Sequence, residues 1–225
     1  MIPLDKRLEL IASFVRLKDA DVVDIGTDHA LIPCYLREKG VANVIASDIG
    51  LGPLKSAKRT ADYYNIDKIT FLQSDGVENI DYADDLIIAG MGGELISRII
   101  SQCREKNFTH ESFRLILQPM THPEKVRKAL YLNGYEIISE KAVQQKDKHY
   151  CIIYALYSGK EIKIDDAFAF WGKVNDENYI NYKKNKLKKI LSKLENSQKN
   201  DSNRHEKARI SRLINYIENQ KKGMN

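Results

Sequence analysis

The chain has 225 residues, of which 43% are hydrophobic and 30% are charged, which suits one sizeable core and a small additional segment. No apolar run approaches the roughly 20 residues that a membrane span needs. Charges interrupt the apolar positions of residues 1–15, so the N-terminus does not resemble a secretory signal. Three widely spaced cysteines, Cys34, Cys103 and Cys151, fit neither a metal site nor a disulfide framework. We therefore expect a reduced, cytoplasmic protein that has no membrane and no metal partner.

Positive charge is concentrated at the C-terminal end of the chain. Residues 183–225 contain 13 Lys and Arg against 4 Asp and Glu, a net charge of +9, so residues 1–182 carry −4 of the overall +5. A basic segment attached to a mildly acidic body favours a polyanionic partner, and nucleic acid is the first class to consider. The alternative is a solvated, charged helix that has no partner.

Apolar periodicity predicts strands that alternate with helices along much of the chain. Helices are predicted over residues 4–15, 29–39, 53–65, 93–106 and 123–133, and strands over residues 21–25, 43–49, 69–73, 85–89, 113–118, 135–143 and 149–157. This alternation is typical of an α/β fold with a Rossmann-like, doubly wound, mostly parallel sheet that has helices on both faces. The last two strands have no helix between them, so we expect an antiparallel edge strand.

The composition changes beyond Gly159. Two sets of aliphatic residues recur there at the i, i+3, i+4, i+7 spacing of a helix face. They are Leu187, Ile190, Leu191 and Leu194, then Ile210, Leu213, Ile214 and Ile217. Polar residues 196–203 separate the two sets, so an α-helical hairpin in the form of an antiparallel coiled coil is predicted. We expect residues 1–159 to form the main domain and residues 160–225 to form an appended, substrate-holding arm.

The first predicted strand leads into Asp24-Ile25-Gly26-Thr27-Asp28-His29-Ala30. A glycine here lets a ligand approach the backbone, and ligands of doubly wound sheets bind at this edge. The dinucleotide fingerprint needs three glycines, whereas only Gly26 is present, and a pyrophosphate would meet the Asp28 carboxylate. The motif therefore favours a ligand without phosphates, such as S-adenosylmethionine, whose sulfonium and amino groups suit carboxylates. In the alternative interpretation, Asp24 is only a strand-end cap.

Acidic residues also follow the second and third predicted strands. Asp48 can accept hydrogen bonds from both ribose hydroxyls, because its two oxygens can bind two donors. Asp75, which Gly76 follows, is placed to accept a hydrogen bond from an adenine amino group. Acids are also common in surface loops that bind nothing, so this interpretation stays open.

Glycines follow the fourth predicted strand in Ala89-Gly90-Met91-Gly92-Gly93. This bare backbone would let a methyl acceptor approach closely, unless the segment is only a tight turn. Many enzymes that methylate the exocyclic amine of adenine carry an Asn/Asp-Pro-Pro-Tyr/Phe segment here, and this chain does not. The difference favours a ring nitrogen as the acceptor.

Together these residues resemble the bacterial tRNA (adenine-22-N1)-methyltransferases. The resemblance covers residues 4–157. It is carried by Asp24-Ile25-Gly26-Thr27-Asp28-His29-Ala30, Ala46-Ser47-Asp48-Ile49 with Gly52-Pro53-Leu54, Ser74-Asp75-Gly76, Ala89-Gly90-Met91-Gly92-Gly93 and Leu117-Gln118-Pro119. It implies methyl transfer from S-adenosylmethionine to N1 of adenine 22, in the D-arm region of tRNA. Arg7 would reach the methionine carboxylate. The expected cofactor site comprises Arg7, Asp24, Gly26, Asp28, His29, Asp48, Ile49, Asp75, Gly76, Gly90 and Met91.

Methylation at N1 needs little chemical activation, because neutral adenine already has a free lone pair there. Alignment of donor and acceptor can contribute roughly 7–11 kcal/mol in favourable cases, and a nearby carboxylate helps as the ring becomes cationic. Asp28 is the first candidate for this catalytic role. His29 could hydrogen-bond the base or transfer a proton, although a histidine at the start of a helix is more often structural.

Cations of the arm are expected to contact tRNA phosphates without reading bases. They are Lys183, Lys184, Lys186, Lys188, Lys189, Arg204, Arg209 and Arg212. We expect the protein to act as a monomer. Two other hypotheses stay open. One is a methyltransferase for a small molecule or a protein, in which the hairpin serves dimerisation, and the other is a non-catalytic protein that binds the cofactor and RNA.

Overall fold

A computed structural model describes residues 1–196 and 201–222 of the chain. Within them the strands are β1 (Asp21–Ile25), β2 (Asn43–Asp48), β3 (Ile69–Gln73), β4 (Asp85–Gly92), β5 (Arg114–Thr121), β6 (Tyr135–Gln145) and β7 (Lys148–Tyr157). The helices are α1 (Lys6–Ala12), α2 (Leu31–Glu38), α3 (Leu51–Tyr63), α4 (Gly93–Glu105), α5 (Pro123–Leu132), α6 (Asp166–Trp171), α7 (Glu177–Glu195) and α8 (Asp201–Lys222).

These strands form one sheet in the order β3-β2-β1-β4-β5-β7-β6. Strands β1 to β5 run parallel, and β7 pairs antiparallel with both β5 and β6. The prediction of a Rossmann-like, doubly wound sheet with an antiparallel edge is therefore confirmed. The strand order reverses between β1 and β4, and ligands of such sheets bind at the carboxyl ends of the strands at this point.

Alternate residues of the strands pack on opposite faces of the sheet, as the pleat of a strand requires. In β1, Val23 belongs to the buried cluster that includes Ile96 of α4. Its neighbour Val22 belongs to a second cluster with Ile11 of α1 and Leu36 of α2. Both faces are thus covered by helices, which leaves the carboxyl edge of the sheet as the place where a ligand can enter.

Several element boundaries differ from the predictions by one to three residues, and two of the differences lie at this edge. Helix α2 begins at Leu31, because Ala30 has a left-handed backbone with φ +48°. Strand β5 continues through Pro119, which was predicted to end it, as far as Thr121. Pro119 lies opposite an irregularity at Met91 of β4, and proline, which has no N–H to donate, is tolerated at such a bulge.

The arm contains the two predicted helices, α7 and α8, and a short helix, α6, that the periodicity did not predict. Trp171, at the end of α6, donates a hydrogen bond from Nε1 to the Leu213 carbonyl of α8 at 2.7 Å. Lys184, early in α7, pairs with Glu218, late in α8, so the two helices run antiparallel. Part of the predicted polar connection, residues 197–200, lies outside the described residues. Coiled-coil geometry and the boundary at residue 159 stay predictions.

A buried ion pair joins the main domain to the base of the arm. Arg127 of α5 is fully buried, and its Nε donates to Glu140 Oε1 of β6 at 2.8 Å. Its Nη1 donates to the carbonyls of Ala169 at 2.7 Å and Phe170 at 3.0 Å. Glu140 Oε2 accepts the backbone N–H of Lys173. The segment between α6 and α7 is therefore held on the sheet by charge-assisted hydrogen bonds, which are stronger than neutral ones.

Within the described ranges, no helix is both long and apolar enough to cross a membrane. Among the described residues there is also no group of three or more His, Cys, Asp or Glu side chains that could hold a metal ion. The three cysteines are free thiols in the interior. Burial raises the pKa of Cys34 to about 11 and that of Cys151 to about 12, so neither is a reactive thiolate at neutral pH.

Candidate active site

A cleft lies at the carboxyl edge of the sheet, where the strand order reverses. Gly26, with φ +77°, and Thr27 donate their backbone N–H groups to the Ser47 carbonyl at 2.8 and 3.0 Å, which turns the chain sharply after β1. The cleft measures about 290 Å³ and is lined by Arg7, Leu8, Asp24, Gly26, Thr27, Asp28, His29, Ala30, Leu31, Ile32, Ala89 and Gly90. The structure thus brings together six of the predicted cofactor residues: Arg7, Asp24, Gly26, Asp28, His29 and Gly90.

Asp24 is the buried carboxyl group of this cleft, with only 7% of its surface exposed. Burial raises the pKa of Asp24 to about 7, the charge of Asp48 acts in the same direction, and Arg7 opposes both. An acid in this condition is only partly ionised at neutral pH. A cation that entered the cleft would favour the charged form.

Arg7 is held at the rim of the cleft by three contacts. Its Nη1 donates to Gln118 Oε1 at 2.7 Å, its backbone N–H donates to Gln145 Oε1 at 3.1 Å, and its guanidinium lies 5.7 Å from the centre of the Tyr150 ring. Sequence reasoning did not assign a role to Gln118. A polar residue within the apolar run of β5 was the available signal, because buried polar side chains need partners.

Asp28 and His29 lie on the solvent side of the cleft, with 70% and 64% of their side chains exposed. His29 Nε2 is 3.3 Å from Asp28 Oδ2. Both follow the turn at Gly26 and precede α2, so they are anchored through the backbone rather than through packing. This position lets either side chain contact a group that enters from solvent.

Asp48 ends β2 and Ile49 follows it, and neither residue lines the cleft. Asp48 Oδ1 accepts the Gly50 N–H at 2.8 Å, and its backbone carbonyl accepts the Ser74 N–H at 3.0 Å. Ile49 is 63% exposed, and its carbonyl accepts a hydrogen bond from Gln73 Nε2 at 2.9 Å. The ends of β2 and β3 are therefore joined into one continuous rim.

Asp75 makes an ion pair that the sequence did not predict. Arg98 of α4 donates from Nη1 and Nη2 to the two carboxylate oxygens at 3.0 and 2.8 Å, which holds the pKa of Asp75 below its usual range. Gly76 follows with φ +59°. An adenine amino group would have to share the carboxylate with Arg98, which is possible because each oxygen has two lone pairs.

The glycines at the end of β4 and the start of α4 bring α4 close to the other loops of this edge. The Met91 side chain packs against one side of Gly26, since a Cβ on Gly26 would lie 2.0 Å from Met91 Cε. A Cβ on Gly93 would lie 2.4 Å from the His122 carbonyl oxygen and 2.6 Å from that of Thr121. Backbone packing therefore excludes a side chain at Gly93, whereas at Gly26 the left-handed backbone, with φ +77°, is what favours glycine.

We expect Gly93→Ala to lower the free energy of unfolding by about 1–3 kcal/mol, the usual cost of over-packing. The two oxygens that it would meet belong to the backbone and cannot rotate away. Urea denaturation measures the effect. Gly52→Ala in α3 is the control, because nothing lies within 4 Å of a Cβ there and alanine favours a helix over glycine. Equal losses in the two variants would contradict the explanation.

The predicted phosphate-binding cations of the arm differ in burial and in ion pairing. The prediction that Lys183 binds phosphate is wrong. Lys183 is only 8% exposed, and its Nζ donates to the Phe170 carbonyl inside the base of the arm. Lys184 is paired with Glu218, and Arg209 Nη1 lies 3.0 Å from Glu206 Oε1. The exposed cations of the predicted set are Lys186, Lys188, Lys189, Arg204, Arg209 and Arg212.

The fold and this edge of glycines and acids define a methyltransferase of the Rossmann-like class. The family model described as "Methyltransferase domain" matches residues 4–153. The matched range holds the reversal of strand order and every residue that lines the cleft.

Individual relatives specify the family. The tRNA (adenine(22)-N(1))-methyltransferase of Bacillus subtilis is 37% identical over 169 residues, which are 73% of this chain and 69% of that protein. The crystal structure of the B. subtilis m1A22 tRNA methyltransferase TrmK has a TM-score of 0.80 at 27% identity, and the match covers 97% of this chain and 99% of that one. Streptococcus pneumoniae Sp1610 in complex with S-adenosyl-L-methionine has a TM-score of 0.77 at 30% identity, covering 96% and 99%. The chain therefore belongs to the family of bacterial tRNA (adenine-22-N1)-methyltransferases.

Proposed function

We propose that this protein methylates N1 of adenine 22 in tRNA with S-adenosylmethionine as the donor, and that it acts as a monomer in the cytoplasm. The observation that carries the proposal is the cleft at the switch point of the sheet, which combines a buried acid, a bare glycine turn and an arginine. The identity with relatives named for this reaction supports it. The same relatives argue against the two alternatives, a small-molecule or protein substrate and a non-catalytic protein.

The residues of the edge fit the proposed cofactor. The buried Asp24 carboxyl would gain a cationic partner from the amino or sulfonium group. Asp48 Oδ1 binds the Gly50 N–H, while Oδ2 accepts no hydrogen bond from the described residues, which leaves it for ribose hydroxyls. Gly26 and Gly90, with φ +77° and +78°, expose backbone to the ligand. Asp28 would oppose a pyrophosphate, so the same edge disfavours a dinucleotide.

The chemical role of the protein is mainly orientation and electrostatics. When bound, S-adenosylmethionine supplies an electrophilic methyl group. N1 of adenine needs no deprotonation, so the site has to hold the base in line and exclude competing water. We assign Asp28 to stabilise the positive charge that develops on the ring, and His29, 3.3 Å from it, to hydrogen-bond the base or transfer a proton.

The test is nucleoside analysis of unmodified tRNA after reaction with the purified chain and S-adenosylmethionine. We expect 1-methyladenosine as the product, and no product from a matched transcript in which adenine 22 is replaced by guanine. Formation of 6-methyladenosine, or equal methylation of both transcripts, would reject the proposal. Removal of the arm is a poor test, because it would expose the Arg127–Glu140 pair that the arm covers.

A further inference from the structure

One face of α7 combines a cluster of lysines with an aromatic ring. Tyr182, Lys186, Lys189 and Lys193 are spaced four, three and four residues apart, so they lie in one row on the helix. The row spans about 16 Å at 1.5 Å per residue. The three lysines are exposed, and none has an acidic partner among residues 1–196 and 201–219. We call this row the α7 lysine face.

The other side of the same helix is electrostatically different. Lys184 is paired with Glu218, and Lys188 lies four residues after it, with Glu195 a further seven residues on. These residues share one side of the helix, since positions four and seven apart are nearly aligned. The Lys184–Glu218 ion pair and the charge of Glu195 therefore lower the net positive charge of that side, whereas the α7 lysine face presents positive charge alone.

The α7 lysine face begins next to the catalytic edge of the sheet. Its first residue, Tyr182, stacks on the His149 ring, with 4.2 Å between the ring centres and 15° between the planes. Leu117 of β5 pairs with Ile153 of antiparallel β7, so His149 lies further along, towards the carboxyl end of β5. The next residue, Tyr150, contacts Arg7 of the cleft.

Buried hydrogen bonds also fix the N-terminal part of α7 relative to the carboxyl edge of the sheet. Lys183, on the inner side of the helix, donates to the Phe170 carbonyl, and the same carbonyl accepts a hydrogen bond from the buried Arg127. The direction in which the α7 lysine face leaves the cleft is therefore set by buried contacts.

We propose that the α7 lysine face is the surface that binds the phosphate backbone of tRNA and leads it to the cleft, which rests on the proposed function. Unpaired lysines in a row suit a polyanion, and such contacts position a nucleic acid without reading its sequence. Lys184 and Lys188 contribute little to this contact, although both were expected to bind phosphate. Tyr182 and Lys193, which sequence reasoning did not include, belong to the contact.

The test compares two double variants of the full chain that each remove two lysines from α7. We expect Lys186→Ala/Lys189→Ala to weaken the binding of an unmodified tRNA transcript at least tenfold. The slope of log affinity against log salt should also become shallower by about 1–2, the contribution of two phosphate contacts. Lys184→Ala/Lys188→Ala is the matched control, and we expect it to bind within about twofold of the unaltered protein.

Binding is measured by fluorescence anisotropy without a methyl donor, and the affinity for S-adenosylhomocysteine is measured in parallel and should stay unchanged in both variants. Equal weakening by the two pairs, or no weakening by Lys186→Ala/Lys189→Ala, would overturn the inference. If the unaltered protein methylates N1 but the two double variants bind tRNA equally well, only the assignment of the α7 lysine face is refuted. Protein that binds through this face but forms no 1-methyladenosine would refute the proposed function alone.

Discussion

Arg127→Met is expected to lower the free energy of unfolding by about 3–5 kcal/mol, because it leaves a buried carboxylate without its partner. Glu140 would keep the Lys173 N–H and lose the guanidinium at 2.8 Å. The Ala169 carbonyl would lose the Arg127 donor at the same time, and the Phe170 carbonyl would keep only its hydrogen bond from Lys183. Since whole domains are stable by only about 5–15 kcal/mol, the variant should approach the limit of folding at 37 °C. Chemical denaturation measures this loss.

Two further variants separate the buried charge from the general loss of a side chain. Arg127→Met/Glu140→Leu should recover part of the loss, because apolar replacements of both partners leave no unpaired charge. Lys128→Met removes the neighbouring cation, which forms an exposed pair with Asp166, and should cost at most about 1 kcal/mol. A double variant that is less stable than Arg127→Met would show that the ion pair is not the cause.

Asp24→Asn is expected to make the protein more stable at pH 8 and to weaken cofactor binding. Burial raises the pKa of Asp24 from 3.8 to about 7, so the folded chain holds a proton there that the unfolded chain has released. The stability of the unaltered protein therefore falls as the pH rises from about 4 to about 7. The full loss has an upper bound of about 4 kcal/mol, at about 1.4 kcal/mol per pH unit. Asparagine avoids this loss, so the difference in free energy of unfolding between the variant and the unaltered protein should grow as the pH rises from about 4 to about 7.

The same substitution should weaken S-adenosylmethionine binding about 10- to 100-fold, as expected for one hydrogen bond to a charged group. In the unaltered protein the affinity should rise as the pH passes through 7 and Asp24 ionises, and calorimetry at several pH values would show this. Asp28→Asn is the control for stability, because its side chain is 70% exposed and its charge is solvated in both states. A flat pH profile of stability, or the same profile change in both variants, would refute the role of Asp24.

Local patterns predicted most of the architecture. The periodicity of apolar residues defines strands and helices because each element buries one face or stripe of its own sequence. The acids and glycines at the ends of β1 to β4 were predicted to share an edge, since parallel strands end together, and the structure places Asp24, Gly26, Asp28 and Gly90 around one cleft. The sequence did not predict where α2 begins, because that depends on the left-handed backbone of Ala30. It also did not predict where β5 ends, because that depends on the bulge opposite Pro119.

Residues far apart in the chain decided what the local patterns could not. Lys183 is one of several closely spaced lysines in α7, and nothing in the sequence distinguishes it from the others. It is buried because its position on the helix faces Phe170. The pairing of Asp75 with Arg98 and of Arg127 with Glu140 joins residues 23 and 13 positions apart, and no periodicity predicts such pairs. The sequence thus determined the elements, the sheet and the acidic edge. Which charges are buried, which are paired and which face the substrate was decided by the packing of those elements, because burial depends on neighbours that only the folded chain brings together.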